Sequence, residues 1–328
     1  MILIKTGSSD IYFNLAAEYY FAVKKPFGEQ IFMLWQTSPP ALVCGRYQNV
    51  YQEVHMDYVR SKGYRVARRL SGGGTVYQDE NVFQYTFIAP GAKTGINFEK
   101  YMRPVMEAMA SLGVPVRFNS RNDLVLDNAK VSGTAQYYAG DRVIHHGTVL
   151  YDADLRELER CLSVDCEKIR SKGIRSVRDR VTNMKQYAGG MSVEAFMDAL
   201  AQRVMQGGKN TREYVLSKED RACISDIAKS RFESWDWIFA SSPECDLIKS
   251  GRVEGGRVEF YLSLAEGRIQ SCQIRGDFFP QRDVKELEAA LLDCRYEKKD
   301  LQNCLENMEA GSFFYRVTGE ELLKILWQ

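Results

Sequence analysis

The alternation of apolar and polar residues along the chain predicts short strands and amphipathic helices in separate runs. Apolar runs and period-two patterns predict strands at Ile2–Lys5, Ile31–Trp35, Ala41–Cys44, Tyr64–Arg68, Thr75–Tyr77, Phe83–Ile88, Val114–Arg117, Leu124–Leu126, Lys130–Tyr138 and Val143–Leu150. Apolar positions at helical spacing predict helices at Asn14–Val23, Val54–Lys62, Phe98–Leu112, Leu155–Leu162, Val193–Met205 and Lys218–Arg231. This grouping is typical of an α+β fold with a mixed, mainly antiparallel sheet.

A second pattern begins near residue 247. The segments Val258–Leu264 and Ile269–Arg275 flank the turn Glu266-Gly267 and predict a β-hairpin, and helices are predicted at Val284–Leu292, Lys298–Asn307 and Glu320–Leu326. A length of 328 residues agrees with two domains. We therefore predict a large domain over residues 1–246 and a small α+β accessory domain over residues 247–328.

The composition is that of a globular protein with no excess of either charge. The chain has 44 Lys and Arg against 43 Asp and Glu, and 45% of its residues are hydrophobic. This balance argues against a disordered chain and against a nucleic-acid partner, which needs a clear cationic surface. No run of about 18 apolar residues is present, and the apolar part of the N-terminal segment Met1–Asp10 is too short for a secretory signal. The sequence thus predicts a cytoplasmic protein with no membrane partner.

Cysteine and histidine usage argues against a dedicated metal or redox motif. The eight cysteines are scattered without a Cys-x-x-Cys pair, and only three histidines are present. We interpret the cysteines as reduced structural thiols, since unpaired cysteine is commonly a small buried hydrophobe.

The segment Arg68-Arg69-Leu70-Ser71-Gly72-Gly73-Gly74-Thr75 carries the strongest chemical signal. Three successive glycines allow backbone N–H groups to converge on an anion, and neighbouring arginines suit phosphate or carboxylate. The segment is not a P-loop, because no Gly-Lys-Ser/Thr follows, nor a dinucleotide fingerprint, because a strand follows it. A glycine hairpin with surface arginines is the alternative.

Two further segments offer a cation and oxygen ligands. Lys130 begins a predicted strand and is followed by small residues, so its ammonium could enter a cleft; an edge-strand lysine that blocks aggregation is the alternative. Asn122 and Asp123 could ligate Mg²⁺, which takes oxygen ligands and arrives with phosphates, or could simply form a turn.

Three other features are candidates for the same site. Arg46, in a glycine turn, is either a second cation for the pocket or a surface residue. His145 and His146 should face opposite sides of a strand, so they cannot easily share a metal ion. The cationic segment 168–178 is either a solvated charge run or a contact for an anion or an acidic partner.

These segments, in their order along the chain, resemble the lipoate–protein ligase A family. The resemblance rests on Gly45-Arg46-x-Gln48-Asn49, Arg68-Arg69-x-Ser71-Gly72-Gly73-Gly74-x-Val76-Tyr77, Arg121-Asn122-Asp123-Leu124, Lys130-Val131-Ser132-Gly133, His145-His146-Gly147-Thr148-x-Leu150, the loop 172–183 and Trp235-x-Trp237. It covers nearly the whole chain. It implies a catalytic domain of the biotin/lipoate ligase type, a small C-terminal accessory domain and a monomeric enzyme.

The resemblance also implies an activity. Lipoate would be activated with ATP and Mg²⁺ to lipoyl-AMP, releasing pyrophosphate, and the lipoyl group would pass to a lysine of an acceptor. The implied acceptors are lipoyl domains of 2-oxoacid dehydrogenase complexes, the glycine-cleavage carrier protein, or both. An apolar slot should take the dithiolane tail.

Roles for individual residues follow from the same resemblance. Lys130 would be catalytic and contact both carboxyl and phosphate, Asn122 and Asp123 would place Mg²⁺, and the 168–183 loop would close over the adenylate. The residues implied to bind nucleotide or lipoate are Arg46, Arg69, Ser71, Gly72, Gly73, Gly74, Thr75, Val76, Tyr77, Asn81, Lys130, His146 and Arg178.

One segment departs from the family pattern, which usually continues His-Asp-Leu-Gly-Asn after Val76-Tyr77. This chain has Gln78-Asp79-Glu80-Asn81-Val82, and either neutral drift or an altered substrate choice explains the change. Two rival functions stay open: an octanoyl or lipoyl transferase that works through a cysteine thioester without ATP, and a non-catalytic lipoate or nucleotide sensor.

Overall fold

A computed structural model describes residues 1–91, 96–119, 122–162, 180–208, 210–242, 245–276, 278 and 280–327. The chain separates into two compact units, Met1–Ser234 and Trp235–Gln328. Among the described residues, no helix combines the length and apolar character needed to cross a bilayer.

The described residues contain fourteen strands: β1 (Ile2–Lys5), β2 (Ile31–Gln36), β3 (Ala41–Cys44), β4 (Arg65–Arg68), β5 (Val76–Gln78), β6 (Val82–Pro90), β7 (Arg117–Phe118), β8 (Asp123–Leu126), β9 (Ala129–Ala139), β10 (Arg142–Leu150), β11 (Arg212–Glu213), β12 (Cys245–Val253), β13 (Gly256–Ala265) and β14 (Arg268–Gly276). Eight of them form the main sheet of the first unit, in the order β11-β1-β2-β6-β10-β9-β8-β7. β1 pairs parallel with β2 and β11, and the other neighbours are antiparallel. The predicted mixed, mainly antiparallel α+β architecture is confirmed.

The described α-helices of the first unit are Ile11–Tyr19, Val50–Glu53, Met56–Ser61, Phe98–Ser111, Leu155–Cys161, Val193–Gln206 and Lys218–Ile227. The predicted helix Asn14–Val23 begins earlier, because the Asp10 side chain accepts from the N–H of Phe13 and caps it. The helix predicted over Val54–Lys62 is present as Met56–Ser61, and it begins later than predicted because Val54 makes a bridge to Leu162. The predicted strand Val114–Arg117 overlaps β7 only at Arg117.

One face of the main sheet carries a large hydrophobic core cluster. Phe83, Tyr85 and Phe87 of β6 are almost fully buried there, together with apolar residues of helices Phe98–Ser111 and Val193–Gln206. Removing side chains of this size from water is the main stabilising term for the sheet.

A small second sheet in the first unit has the order β4-β3-β5 and carries the glycine-rich segment. β3 pairs parallel with β4 and antiparallel with β5, so residues 69–75 form the connection between β4 and β5. This sheet therefore fixes both ends of that connection, called here the glycine loop.

The second unit contains the antiparallel sheet β12-β13-β14 and helices Val284–Leu291, Lys298–Asn307 and Gly319–Trp327. Trp235 belongs to this unit, and its indole Nε1 donates to Glu297 Oε1 at 3.0 Å. The second compact unit therefore begins at Trp235 and includes residues 235–246. The boundary between the two functional domains, after residue 246, stays a prediction.

Candidate active site

The glycine loop is organised from within by Arg69, whose side chain is buried. Its guanidinium donates to Ser71 Oγ at 3.0 Å and to the carbonyl oxygens of Val43, Gly72 and Gly74 at 2.8, 2.7 and 2.8 Å. Burial lowers the pKa of Arg69 to about 10, so the group remains charged at neutral pH. Its planar fork of donors therefore shapes the loop.

Arg68 connects the glycine loop to the preceding turn. It is fully buried, and its Nη1 donates to the carbonyl oxygens of Gly45, Arg46 and Gln48 at 3.0, 3.1 and 2.7 Å. A Cβ atom on Gly45 would lie 2.1 Å from the carbonyl oxygen of Gly73, so the turn and the loop touch where only glycine fits. Arg68 and Arg69 thus donate hydrogen bonds to the backbone of two contacting turns. They do not lie on the surface of a glycine hairpin.

A buried hydrogen-bonded array supports the loop from the main sheet. Ser71 Oγ lies 2.6 Å from His146 Nε2, and His146 Nδ1 lies 3.0 Å from Glu18 Oε2. Thr86 donates its hydroxyl to Glu18. All four side chains are buried. Sequence reasoning missed Glu18, although a glutamate among the apolar positions of helix Ile11–Tyr19 was a usable signal.

His145 lies on the opposite face of β10, as the alternation of strand residues predicts. Its ring stacks on Tyr101 with centroids 5.4 Å apart and meets the edge of Phe98 at 6.1 Å. Burial lowers the pKa of His145 to about 3, so the imidazole is neutral and packs as a core residue.

A cavity of about 400 Å³ opens between the end of the glycine loop and strands β8 to β10. Its polar lining is Thr75, Asn119, Asp123, Asn128, Lys130, Ser132, Thr148 and Arg180, and its apolar lining is Val76, Tyr77, Val125, Leu150, Leu158, Leu162 and Val181, with Gly133 between them. Lys130 and Thr75–Tyr77, distant in sequence, thus border one space that offers both polar and apolar contacts.

Lys130 is held in this cavity by an ion pair and by close backbone packing. Its Nζ lies 2.7 Å from Asp123 Oδ1, and the two side chains are 38% and 21% exposed. Asn119 Nδ2 donates to the other Asp123 oxygen at 3.2 Å. A Cβ atom on Gly133 would lie 2.6 Å from Lys130 Nζ, so the glycine leaves the space that the ammonium occupies.

The two predicted metal ligands occupy different places. Asp123 lines the cavity, whereas Asn122 does not. The Asn122 amide donates to Thr134 O at 2.8 Å, and its own carbonyl accepts from the Thr134 N–H and hydroxyl. Asn122, which directly precedes β8, therefore connects this end of the strand to β9 through hydrogen bonds.

The structure also separates other predicted residues from this cavity. Arg46, Ser71, the three loop glycines and His146 are not among its lining residues. Ser71 and His146 are buried, whereas Gly73 and Gly74 are exposed. Asn81 lines a neighbouring cavity with Asp79 and Asp154. Arg178 lies outside the described residues, as does most of the 168–183 loop; Arg180 and Val181 do line the site.

The segment that departs from the family pattern is packed behind the site. Gln78 is buried and its Oε1 accepts from Thr37 Oγ1 at 3.0 Å. Asp79 accepts from the backbone N–H groups of Asn81 and Asp154 at 2.9 and 3.0 Å, while burial raises its pKa. Both side chains hold backbone in place, and neither lines the cavity of Lys130.

Comparison with known proteins identifies the family of this chain. Residues 10–205 match the lipoyl protein ligase A/B catalytic domain, and residues 242–326 match the bacterial lipoate protein ligase C-terminus. The chain is 35% identical to lipoate-protein ligase LplJ of Bacillus subtilis, with 96% of each chain covered. It is 31% identical to lipoate–protein ligase 1 of Staphylococcus aureus, with 95% of each covered.

Solved structures share the fold at low identity. LipL1 of P. falciparum, crystallised with lipoate, has a TM-score of 0.62 and 20% identity over 99% of this chain and 98% of its own. A lipoate-protein ligase A bound with ATP has a TM-score of 0.61 and 19% identity over 72% of this chain and 96% of its own. By its family matches and its curated relatives, the chain is an enzyme of the lipoate–protein ligase family.

Proposed function

We propose that this enzyme joins lipoate to ATP to form lipoyl-AMP and pyrophosphate, and then transfers the lipoyl group to a lysine of an acceptor protein. The observation that supports this most directly is the position of Lys130, which lines the same cavity as Thr75–Tyr77 at the end of the glycine loop. Curated relatives named lipoate–protein ligases, at 31% to 35% identity, support the same reaction class.

In the first step, a carboxylate oxygen of lipoate attacks the α-phosphorus of ATP. The new oxygen–phosphorus bond forms as the bond to the β-phosphate oxygen breaks, and pyrophosphate leaves with its electron pair. Negative charge gathers on non-bridging oxygens during this step. A fixed ammonium beside them stabilises the transition state more than the separate substrates, which is how the rate increases.

In the second step, the neutral ε-amine of the acceptor lysine attacks the acyl carbon. The carbon–nitrogen bond forms, the carbon–oxygen bond to AMP breaks, and the amine gives up a proton as the amide is made. Charge develops on the acyl oxygen, so the same Lys130 ammonium serves both steps. Lipoyl domains of 2-oxoacid dehydrogenase complexes and the glycine-cleavage carrier protein are the proposed acceptors.

The lining of the cavity suggests how the substrates are held. Thr75–Tyr77, Leu150, Leu158, Lys130 and Ser132 all line the cavity. In this proposal the backbone at Thr75–Tyr77 and the two leucines hold the nucleotide, and Lys130 and Ser132 contact its junction with the carboxyl group. Arg69, with its donors already committed inside the loop, acts by positioning the glycine-loop backbone. Ser71 and His146 act on the same loop through the buried array.

A Mg²⁺ ion that arrives with the phosphates fits this lining. The described residues contain no group of three His, Cys, Asp or Glu side chains that could hold a metal alone. Asp123 and the amides of Asn119 and Asn128 nevertheless supply oxygen atoms at the cavity, and Mg²⁺ usually takes one or two carboxylates besides phosphate and water. Bound there, the ion would neutralise phosphate charge.

The transferase alternative requires a reactive cysteine at the site. Among the described residues, no cysteine lines the cavity. Cys44, whose Sγ lies 3.5 Å from Thr75 Oγ1, is buried, and burial raises the pKa of its thiol. A thiol of this kind is a poor nucleophile at neutral pH, so the lining favours the ligase.

Incubation with lipoate, MgATP and a purified lipoyl domain tests the proposal. We expect pyrophosphate release that depends on lipoate, and an intact-mass increase of the acceptor that depends on both substrates. Acyl transfer from an octanoyl or lipoyl carrier protein without ATP, and with no pyrophosphate, would establish the transferase instead. Tight lipoate binding without modification of any acceptor would establish the sensor.

A further inference from the structure

Glu18 is a buried carboxylate to which the proposed mechanism gives no role. It lies in the last turn of helix Ile11–Tyr19 and is 2% exposed. The Thr86 hydroxyl donates to one of its oxygens, and Nδ1 of His146 lies 3.2 and 3.0 Å from the two oxygens. A carboxylate is costly to bury unless hydrogen bonds compensate for the lost water, so the partners of Glu18 indicate what it does.

The hydrogen bonds of this array have a direction that follows from their donors and acceptors. Arg69 Nε carries a hydrogen and cannot accept one, so Ser71 Oγ accepts from it at 3.0 Å. Among the described residues, the other hydrogen-bond partner of Ser71 Oγ is His146 Nε2, at 2.6 Å. The hydroxyl hydrogen of Ser71 therefore goes to Nε2, which is the unprotonated nitrogen of the ring.

The array is thus a continuous series of donors that ends on Glu18. Arg69 donates to Ser71, and Ser71 donates to His146. His146 and Thr86 both donate to Glu18. The protonated nitrogen of a histidine is set by the hydrogen bond that the other nitrogen makes or lacks, and a carboxylate can only accept. Glu18 therefore keeps the hydrogen on Nδ1 and leaves Nε2 as an acceptor.

We propose that Glu18 is a positioning residue for the formation of lipoyl-AMP, acting through the tautomer of His146 on the hydroxyl of Ser71. Ser71 Oγ then accepts from Arg69, whose other donors hold carbonyl oxygens of the glycine loop. With the opposite tautomer, His146 and Arg69 would both donate to Ser71, and its hydroxyl hydrogen would have no acceptor in the array. The inference rests on the proposed function, because it adds a residue to the same reaction.

Two substitutions of similar size separate the hydrogen bond from the volume of the side chain. Glu18→Gln keeps a carbonyl oxygen that accepts from Nδ1 and an amide that donates to Thr86, so we expect pyrophosphate release close to that of the unaltered enzyme. Glu18→Met fills similar space without an acceptor, and misplacement of the loop should lower kcat by about tenfold or more. Glu157→Met is the matched control. It removes a mostly buried carboxylate that accepts from two tyrosines outside the array, and it should keep full activity.

The tautomer itself is measured by nuclear magnetic resonance of protein labelled with nitrogen-15 at histidine. The chain has three histidines, so His55→Gln and His145→Phe assign the signals of His146 by elimination. We expect a hydrogen on Nδ1 in the unaltered protein and in Glu18→Gln, and on Nε2 in Glu18→Met. A role in filling space alone would leave the tautomer unchanged. A hydrogen on Nε2 in the unaltered protein overturns the proposal without any variant.

A double-mutant cycle decides whether Glu18 acts through Ser71. Ser71→Ala interrupts the array between His146 and Arg69, so Glu18→Met should cause little further loss of pyrophosphate release in that background. Equal losses in both backgrounds would overturn the proposal, as would full activity in Glu18→Met. Absence of pyrophosphate release from the unaltered enzyme would refute the proposed function instead, and the tautomer measurement would still decide the role of Glu18 in the array.

Discussion

Ser71 Oγ and His146 Nε2 lie 2.6 Å apart in the buried layer behind the active-site cavity. The contact joins the glycine loop to the central strand β10, over 75 positions of sequence. Arg69 approaches the same hydroxyl from the loop side at 3.0 Å, and Glu18 holds the far nitrogen of the imidazole. The shape of the loop is therefore set by the main sheet as well as by its own glycines.

Replacement of this hydroxyl tests the connection. In Ser71→Ala, Arg69 Nε and His146 Nε2 both lose a buried partner, and an unsatisfied buried group typically costs about 1–3 kcal/mol. We expect the free energy of unfolding of the first unit to fall by that amount and pyrophosphate release to fall with it. Urea unfolding and a pyrophosphate assay measure the two effects. Ser61→Ala, which removes an exposed hydroxyl bonded only to the nearby Tyr58 carbonyl, is the control and should change neither.

Lys130 is expected to dominate the chemical step. In Lys130→Ala, lipoate-dependent pyrophosphate release should fall by about 10²–10³, the usual loss for one preorganised donor to developing charge. The far-ultraviolet circular dichroism spectrum should not change, because the side chain is partly exposed. Lys185→Ala removes a comparable exposed lysine, paired with Asp152 outside the cavity, and should keep full activity. Turnover like that of the unaltered enzyme in Lys130→Ala would refute the assigned role.

Gly133 allows the position of the Lys130 ammonium to be tested without removing it. A methyl group at this glycine would lie 2.6 Å from Nζ and 2.7 Å from Cε, so the end of the lysine side chain must move away from Asp123. Because that end is flexible, we expect the melting temperature of Gly133→Ala to stay within about 2 °C, while pyrophosphate release falls tenfold or more.

Gly28→Ala is the matched control for this substitution, since a methyl group there meets no atom within 4 Å. It should retain both stability and activity. Full activity in Gly133→Ala would show that the observed place of the ammonium is not needed for catalysis. A large loss of stability would show instead that the Lys130 side chain cannot move away from the added methyl group.

Much of the fold follows from periodicity in the sequence. The strands β6, β9 and β10 and the helices Phe98–Ser111 and Val193–Gln206 lie close to their predicted bounds, because each has a regular apolar face long enough to detect. The helix predicted over Val54–Lys62 is also present, but it is shortened to Met56–Ser61 for a tertiary reason. Its apolar spacing is helical, but Val54 makes a bridge to Leu162, over 100 residues later, that no local pattern reveals.

The site was predictable only in part, for a similar reason. The order of motifs led to Lys130 and Thr75–Tyr77, which line one cavity. The direction of a side chain depends on partners that are distant in sequence. The sequence suggested that Arg69 is a cation facing a ligand. In the structure its guanidinium donates instead to backbone carbonyl oxygens of Val43 and Gly72. Glu18 resembled an ordinary helix former, and its partner His146 is 128 positions away.

His145 should make the stability of the first unit depend on pH. The folded protein holds this imidazole neutral until about pH 3, because burial lowers its pKa, while the unfolded chain titrates near the ordinary value of 6.5. Below pH 6.5 the unfolded state therefore binds one more proton than the folded state, and the free energy of unfolding falls as pH falls. The loss between pH 6.5 and 5 should be about 1–2 kcal/mol.

The control for this prediction is His145→Phe, which keeps an aromatic ring against Tyr101 and removes the titration. Carboxylates contribute equally to both proteins, so the difference between their urea-unfolding curves at pH 7, 6 and 5 isolates the imidazole. Stability at pH 7 can change in either direction with the altered packing, but the difference must grow as pH falls. Parallel pH profiles for the two proteins would mean that the folded state accepts a proton at His145 as readily as the unfolded chain does.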